Sequence, residues 1–450
     1  MNYTNETRRG FLKKTAIGAT ALTFGGALPS FSASSYNRIM GSNERIRVAV
    51  MGVNSRGRAL ANNFASQSNG EVAYVCDVDS RASEKCVAQV LERQQSRPKQ
   101  ESDIRKLLEF SDFDALVIAA PDHWHAPAAI LASQAGKHVY LEKPASHNPQ
   151  EGEWVVAAQQ KYGNVIQMGN QRRSWPNVVH AIQQLHDGVI GKPFYAKSWY
   201  SQDRPSIGMG KQAPVPSWLN YELWQGPAPR KPFKDNLIHY NWHWFWNWGT
   251  GEALNYGTHM VDLARWGLQV DYPTKVTSIG GNYRHKNEWE TPDTQMISLE
   301  FGDQCTITWE GRSAIANPIE GSAVGVLFYG DGGALQIDGS NAYKIFDTEN
   351  KLVREVTKDE VVDVRNLSNP SRGLDANHIQ NFFSAIKTGS KLNADILSGH
   401  ISTLLVQLGN IAQRTNGMLT VDPSNGHILN NTEAQSLWKR AYEPGWEPVI

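Results

Sequence analysis

The stretch Gly52-Val53-Asn54-Ser55-Arg56-Gly57 closes a β-branched run, "RIRVAVMGV", and opens a segment with apolar residues at helical spacing. A turn of this kind brings backbone amides and a helix N-terminus to a pyrophosphate. Gly52 permits the tight turn and Gly57 the close packing of helix on strand. Asn54 stands where the dinucleotide pattern has its second glycine, and asparagine tolerates left-handed dihedrals better than most residues. Asp77 ends the next β-rich run, "EVAYVCDVD", twenty residues after Gly57. A carboxylate there can accept both ribose hydroxyls of NAD and would repel a 2′-phosphate. NAD is the expected cofactor, held by Gly52, Asn54, Ser55, Arg56, Gly57 and Asp77. Arg56 or Arg81 would be the groups to serve a 2′-phosphate, so NADP is not excluded.

A second cluster of chemistry lies at residues 238–248, where Tyr240, Trp242, Trp244, Phe245, Trp246 and Trp248 alternate with His239 and His243. Alternating aromatics suit a segment packed on a core. Large amphipathic rings also suit a pyranose, covering its apolar faces while their polar edges meet hydroxyls. Trp244 and Trp246 are the candidate substrate-binding rings. His239 and His243 stand four apart, a spacing metals use, but no third ligand and no H-E-x-x-H follows, so no metal is expected.

The elements that must position these residues follow from patterning. Residues 45–165 alternate β-branched runs ("EVAYVCDVD", "DALVIAAP", "KHVYLEKP") with helical segments, which implies a doubly wound parallel sheet, a Rossmann domain. Beyond it, short runs such as "KPFYAKSWYSQ", "TKVTSIGGNYR", "TQMISLEF" and "QCTITWEGR" imply a mostly antiparallel sheet, giving an α+β domain over 166–450. Two amphipathic helices are expected within 372–417. His378 and His400 on them read as packing histidines. The chain has 450 residues with 44 basic and 44 acidic side chains, a balance that excludes an electrostatic nucleic-acid binder. Its three cysteines, Cys76, Cys86 and Cys305, make no disulfide framework. Arg8 and Arg9, the apolar run Ala16–Leu28 and the small residues after it have the layout of a twin-arginine export signal over residues 1–35. The apolar run is too short and too rich in small residues for stable membrane insertion. A periplasmic protein using the twin-arginine machinery is therefore expected.

The segment "APDHWHAPAAILASQAGKHVYLEKPAS", residues 120–146, closely resembles the signature of the Gfo/Idh/MocA family of sugar and inositol oxidoreductases. Pro121, Asp122, His125, Gly136, Lys137, His138, Glu142, Lys143 and Pro144 carry the match. The resemblance implies a two-domain α/β enzyme whose second domain is a large open sheet, one face of which often meets a second subunit. A homo-oligomer is therefore expected. It also implies that Lys143 projects beside the nicotinamide and hydrogen-bonds the hydroxyl to be oxidised. Pro121, His125 and Glu142 line the cofactor cleft, and Asn170 and Arg172 pass near the nicotinamide and substrate. His259, in "GTGEALNYGTHMVDL", takes the place of the family's catalytic histidine. The family pattern D-x-x-x-H reads here as Asn255-x-x-x-His259, so the acid is missing. Asn255 can still bind a hydroxyl. Asp262 either substitutes for the acid or pairs with Arg265.

These readings converge on a nicotinamide-dependent oxidoreductase that removes hydride from a secondary hydroxyl of a sugar or glycoside. Lys143 would polarise the oxygen and His259 would accept the proton. An exported protein cannot draw on free NAD, so its cofactor is expected to travel bound. One alternative is a redox-neutral glycoside hydrolase: transient oxidation, elimination, hydration and re-reduction. In the glycosidase branch of the family the lysine of "EKP" is replaced, so Lys143 favours the dehydrogenase. The other alternative is a non-catalytic sugar or nucleotide sensor.

Overall fold

Strand β1 (Ile46–Met51) is buried almost throughout, as a strand covered on both faces must be. The computed structural model describes residues 45–357, 372–415 and 417–450, so the expected export signal lies outside the described residues. β1 joins β2 (Gly70–Cys76), β3 (Lys99–Glu101), β4 (Ala115–Ile118), β5 (His138–Leu141) and β6 (Ile166–Met168) in a parallel sheet of order β3-β2-β1-β4-β5-β6. Because β6 pairs with β5, this sheet extends past the expected boundary at residue 165. Strand order reverses between β1 and β4, and the crevice at their carboxyl ends is where ligands bind in such sheets.

Helices α1 (Arg56–Ala65), α2 (Ser80–Leu91), α3 (Asp122–Gln134) and α4 (Pro149–Tyr162) cover the two faces. Their starts are set locally. Asp79 accepts the amides of Arg81 and Ala82 at the head of α2, and Asn148 accepts that of Glu151 at the head of α4, which begins with proline.

After α5 (Pro176–His186) the chain builds the second sheet. Its strands are β7 (Pro193–Ser201), β8 (Lys275–Gly281), β9 (Thr294–Phe301), β10 (Cys305–Arg312), β11 (Val324–Gly330), β12 (Gly333–Ile337), β13 (Tyr343–Phe346), β14 (Leu352–Val356), β15 (Met418–Val421) and β16 (Ile428–Leu429). The order is β14-β13-β12-β11-β7-β10-β9-β8-β15-β16, antiparallel except where β7 meets β10. Strict alternation of burial along β10 marks a sheet with one face on the core. That face is packed by α6 (Thr258–Leu268), and the opposite face leaves the cross-strand pair Ile279 and Met296 exposed.

α7 (Arg372–Thr388) and α8 (Ile396–Arg414) return to the first sheet. Ile379, Phe382 and Phe383 of α7 complete the cluster of Val48, Phe64 and Tyr140, while Ile396 of α8 joins the cluster on the opposite face. Residues 202–248 run as a strap from β7 back to the mouth of the nucleotide domain. Leu219 bridges Asp79, the Ser80 amide donates to the Trp218 carbonyl (3.1 Å), and the Asn220 amide donates to that of Val78 (2.9 Å).

Candidate active site

The glycine turn is dictated by space. Gly52 has φ +80°, and a Cβ there would stand 2.6 Å from Ala120 backbone. A Cβ on Gly57 would stand 2.1 Å from the Gly52 carbonyl oxygen. The cradle therefore stays open beneath the start of α1. Asp77 stands against the same turn, accepting the Val53 amide at 2.6 Å and the Asp79 amide at 2.9 Å. Burial pushes its carboxyl up, and those two amides pull it down. Each oxygen retains a lone pair for a ribose hydroxyl. These groups fit a dinucleotide: bare backbone for the pyrophosphate and a strand-end carboxylate for the ribose.

Arg56 is held between two carboxylates. Its Nε donates to Glu142 Oε1 and its Nη1 to Asp375 Oδ2 of α7, both at 2.7 Å, in a buried ion triad. Arg81 closes on Asp79 and lies over the Trp218 ring. Both cations that could have served a 2′-phosphate are thus held by carboxylates.

A cavity of about 410 Å³ opens above the turn. Its nucleotide-side wall includes Gly52, Asn54, Ser55, Arg56, Asp77, Pro121, His125, Glu142 and Lys143, and the facing wall includes Trp224, His239, Tyr240, Trp242, His243 and Asn255. Lys143 sits where the two walls meet, beside a cis bond to Pro144. Its Nζ donates to both the backbone carbonyl and the side-chain oxygen of Asn255, the latter at 3.0 Å. Desolvation lowers the Lys143 pKa, against the raising effects of Glu142, Asp122 and Glu252. Asn255 lies in a π-helical turn, Ala253–Gly257, that leads into α6. Such turns are frequent at functional sites.

His259, the second residue of α6, is buried behind this pair and is not on the cavity wall. Burial holds its ring neutral, reinforced by the charges of Arg172, Lys143 and Arg56. Among the described residues its Nδ1 has no partner, and neither does the side-chain amide of buried Asn170.

Several expectations change. Trp244 is buried against Trp289, with ring centres 4.1 Å apart. Trp246 lies under Arg414, 4.8 Å from its guanidinium. Neither lines the cavity, because residues 241–244 form a 3-10 turn and break the alternation that would have aligned the rings. Tyr240 and Trp242 reach it instead. Arg172 donates to the Tyr256 hydroxyl (3.0 Å) and the Gly339 carbonyl (3.3 Å), so it braces the wall from behind. His125 sets its ring nitrogens against the carbonyls of Pro144 and Ala120, fixing the turn after Lys143. Asp262 binds Arg173 with two 2.8 Å hydrogen bonds, whereas Arg265 turns to Asp271. It is therefore neither a substitute acid nor the partner of Arg265.

Asp375, Glu252 and Arg204 escape the sequence reading, as does the backbone of Tyr240. Asp375 completes the Arg56 triad from a helix 319 residues away. Glu252 and Arg204 form a buried pair (2.9 Å) beside Asn255. Tyr240 has φ +91°, a strained backbone for a bulky residue. Among the described residues no cluster of side chains could hold a metal ion, and no helix is long and apolar enough to cross a membrane.

Known proteins share the two-domain fold. Residues 46–170 match the oxidoreductase family's NAD-binding Rossmann fold, and residues 198–330 and 325–448 match its C-terminal alpha/beta domain. A glycosyl hydrolase family 109 protein of Saccharopolyspora erythraea is 27% identical over 47% of this chain and 49% of its own length. A 2,7-anhydro-N-acetylneuraminate hydratase of Mediterraneibacter gnavus is 26% identical over 53% of this chain and 58% of its own. The chain thus spans about half the length of these curated relatives. A levoglucosan dehydrogenase solved with NADH and levoglucosan superposes with TM-score 0.64 at 17% identity, covering 84% of this chain and 99% of that one. At that identity the likeness concerns the fold. The two domains together, with the NAD-binding cradle at the head of the first, make this chain a member of the Gfo/Idh/MocA oxidoreductase family with NAD(H) as its cofactor.

Proposed function

We propose that the protein oxidises a secondary hydroxyl of a sugar or glycoside. The observation that carries this reading is the Lys143 ammonium, partly desolvated and aimed by the two oxygens of Asn255, at the junction of the nucleotide cradle and an aromatic wall. NAD⁺, when bound, supplies the hydride acceptor. Lys143 hydrogen-bonds the reacting oxygen and stabilises charge that develops on it. For His259 to accept the hydroxyl proton, as this reading has it, its neutral ring must come onto the cavity wall from its place behind Lys143 and Asn255. Tyr240 and Trp242 cover the apolar face of the ring. The engagement of Arg56 and Arg81 by carboxylates supports NAD over NADP.

The test is incubation with NAD⁺ and a panel of sugars and aryl glycosides, following NADH absorbance and keto-sugar formation by mass spectrometry. NADH and a keto-sugar are expected. Aglycone release without net reduction would instead establish the redox-neutral hydrolase, the reading favoured by the family 109 relatives. A protein that binds sugar and leaves its cofactor unchanged would be a sensor.

We also propose export by the twin-arginine route with the cofactor already bound, on the strength of Arg8, Arg9 and the apolar run after them. Self-association through the ten-stranded sheet is the matching proposal for the exposed pair Ile279 and Met296. Fractionation of the producing cell tests the first and light scattering the second.

A further inference from the structure

Asn255 carries no charge, yet the Lys143 ammonium rests on it. Glu252, one turn earlier, is 2% exposed and does not reach the cavity. Its Oε1 accepts from Asn255 Nδ2 at 2.8 Å, and its Oε2 from Arg204 Nε at 2.9 Å and the Ser313 hydroxyl at 3.3 Å. An amide has one accepting and one donating end, and a carboxylate can only accept. Glu252 therefore fixes Nδ2 toward itself and Oδ1 toward Lys143. The reverse orientation would set an NH₂ against an ammonium and a carbonyl against a carboxylate.

We propose that Glu252 is a positioning residue for the reaction: through the Asn255 amide it sets the oxygen that aims Lys143 Nζ, and it supplies, one residue removed, negative charge that keeps that nitrogen an ammonium. This rests on the dehydrogenase reading above. Several charged groups face Lys143. Glu142 comes from its own turn and is tied to Arg56 of α1, while Asp122 heads α3 and carries a carboxyl pushed up by burial. Glu252 comes from the π-turn, and the imidazoles of His243 and His259 feel the lysine's charge. Of the three acids, Glu252 is the one that also orients the lysine's hydrogen-bond acceptor.

The arrangement allows an isosteric exchange. In E252Q the charge is lost and either amide end can face Asn255. In E252Q/N255D the charge moves next to the lysine. The amide introduced at position 252 can then donate to the carboxylate introduced at position 255, and its oxygen can still accept from Arg204 Nε, while the 3.2 Å contact of Arg204 Nη2 with the other end is given up. The titration of Lys143 is read directly, without substrate, from the pH dependence of its trace acetylation by acetic anhydride, quantified by peptide mass spectrometry. The expected midpoint falls by about one pH unit in E252Q and returns to the wild-type value or higher in the exchanged pair. In turnover assays E252Q is expected to lose about tenfold in kcat, with its alkaline limb at lower pH and KM for NAD⁺ unchanged, and the exchanged pair to recover most of that loss. An unchanged acetylation midpoint in folded E252Q would overturn the proposal and leave Glu252 as a counter-ion for Arg204. Should E252Q fail to fold, E252D decides. It keeps the charge but shortens the reach, so kcat is expected to fall with the midpoint held, and wild-type turnover at every pH would overturn the proposal. A wild-type protein that oxidises no sugar would sink the dehydrogenase reading, whereas the acetylation result stands on its own.

Discussion

The two walls of the cavity are built on different terms. The nucleotide wall is made chiefly of groups that sequence patterns announce: a glycine turn with no room for a Cβ, a strand-end carboxylate that accepts the turn's own amides, and a lysine two residues past a buried strand, with one distant tie from Arg56 to Asp375. The facing wall is an irregular strap, and its functional groups owe their positions to partners far along the chain. Tyr240 is packed by Arg204, Arg204 is held by Glu252, and His239 hydrogen-bonds Asp79 of the other domain at 2.8 Å. The first wall fixes a cofactor common to a large family. The second can change its rings while the first stays constant, which is how one scaffold accommodates many substrates.

Substitutions can break or sharpen that contrast. Lys143→Met, at the seam, should have the largest effect: a loss of about 10²–10⁴-fold in single-turnover rate, with NAD affinity by calorimetry close to wild type. Next, the aromatic wall should split in two. Trp244→Ala removes a buried ring packed on Trp289 and should cost about 3–4 kcal/mol in denaturant unfolding. Trp242→Ala, at the cavity, should stay within about 1 kcal/mol of wild type and raise KM for the sugar instead. Equal stability losses in both would mean that the wall is uniform core. Gly52→Ala should destabilise by about 2–3 kcal/mol and abolish NAD binding, read by thermal unfolding with and without the nucleotide.

The smallest effect concerns pH. His378 sits between the Met168 carbonyl (2.9 Å) and the Ser174 hydroxyl (2.7 Å), and burial brings its pKa down to about 4. The unfolded chain takes up that proton near pH 6.5, but the folded one does so only near pH 4. Stability from this group is therefore present above about 6.5 and falls as pH drops toward 4, with about 2 kcal/mol lost at about pH 5. Denaturant unfolding at about pH 7 and pH 5 should show the slope, and His378→Asn should flatten it.

Much of this was legible in the sequence, for identifiable reasons. Gly52, Asp77 and the strand-helix alternation are local signals, because each is announced by a pattern fewer than thirty residues long, even where the contact that enforces it, Gly52 against Ala120, is distant. Lys143 was legible through its motif. The choice among the tryptophans was not, since alternation predicts two faces and a 3-10 turn at residues 241–244 has no such faces. Glu252 was hidden because its meaning depends on Arg204, 48 residues earlier, and on a π-turn that no spacing rule announces. Asp262 was misread for a similar reason: its partner Arg173 is 89 residues distant, whereas Arg265 was near at hand.

The return of α7 to the first sheet has a consequence for how the protein is made. All six strands of the nucleotide domain leave the ribosome early, but Phe382 and Phe383, which cover Phe64, and Asp375, which completes the Arg56 triad, come some 319 residues after α1. At ordinary rates of elongation that interval is roughly 15–60 s. Until α7 is made, the cluster around Phe64 lacks Phe382 and Phe383, and one arm of the Arg56 guanidinium lacks its carboxylate. The support of the cradle is therefore complete only once α7 has been made, and the first half of the chain alone lacks part of it.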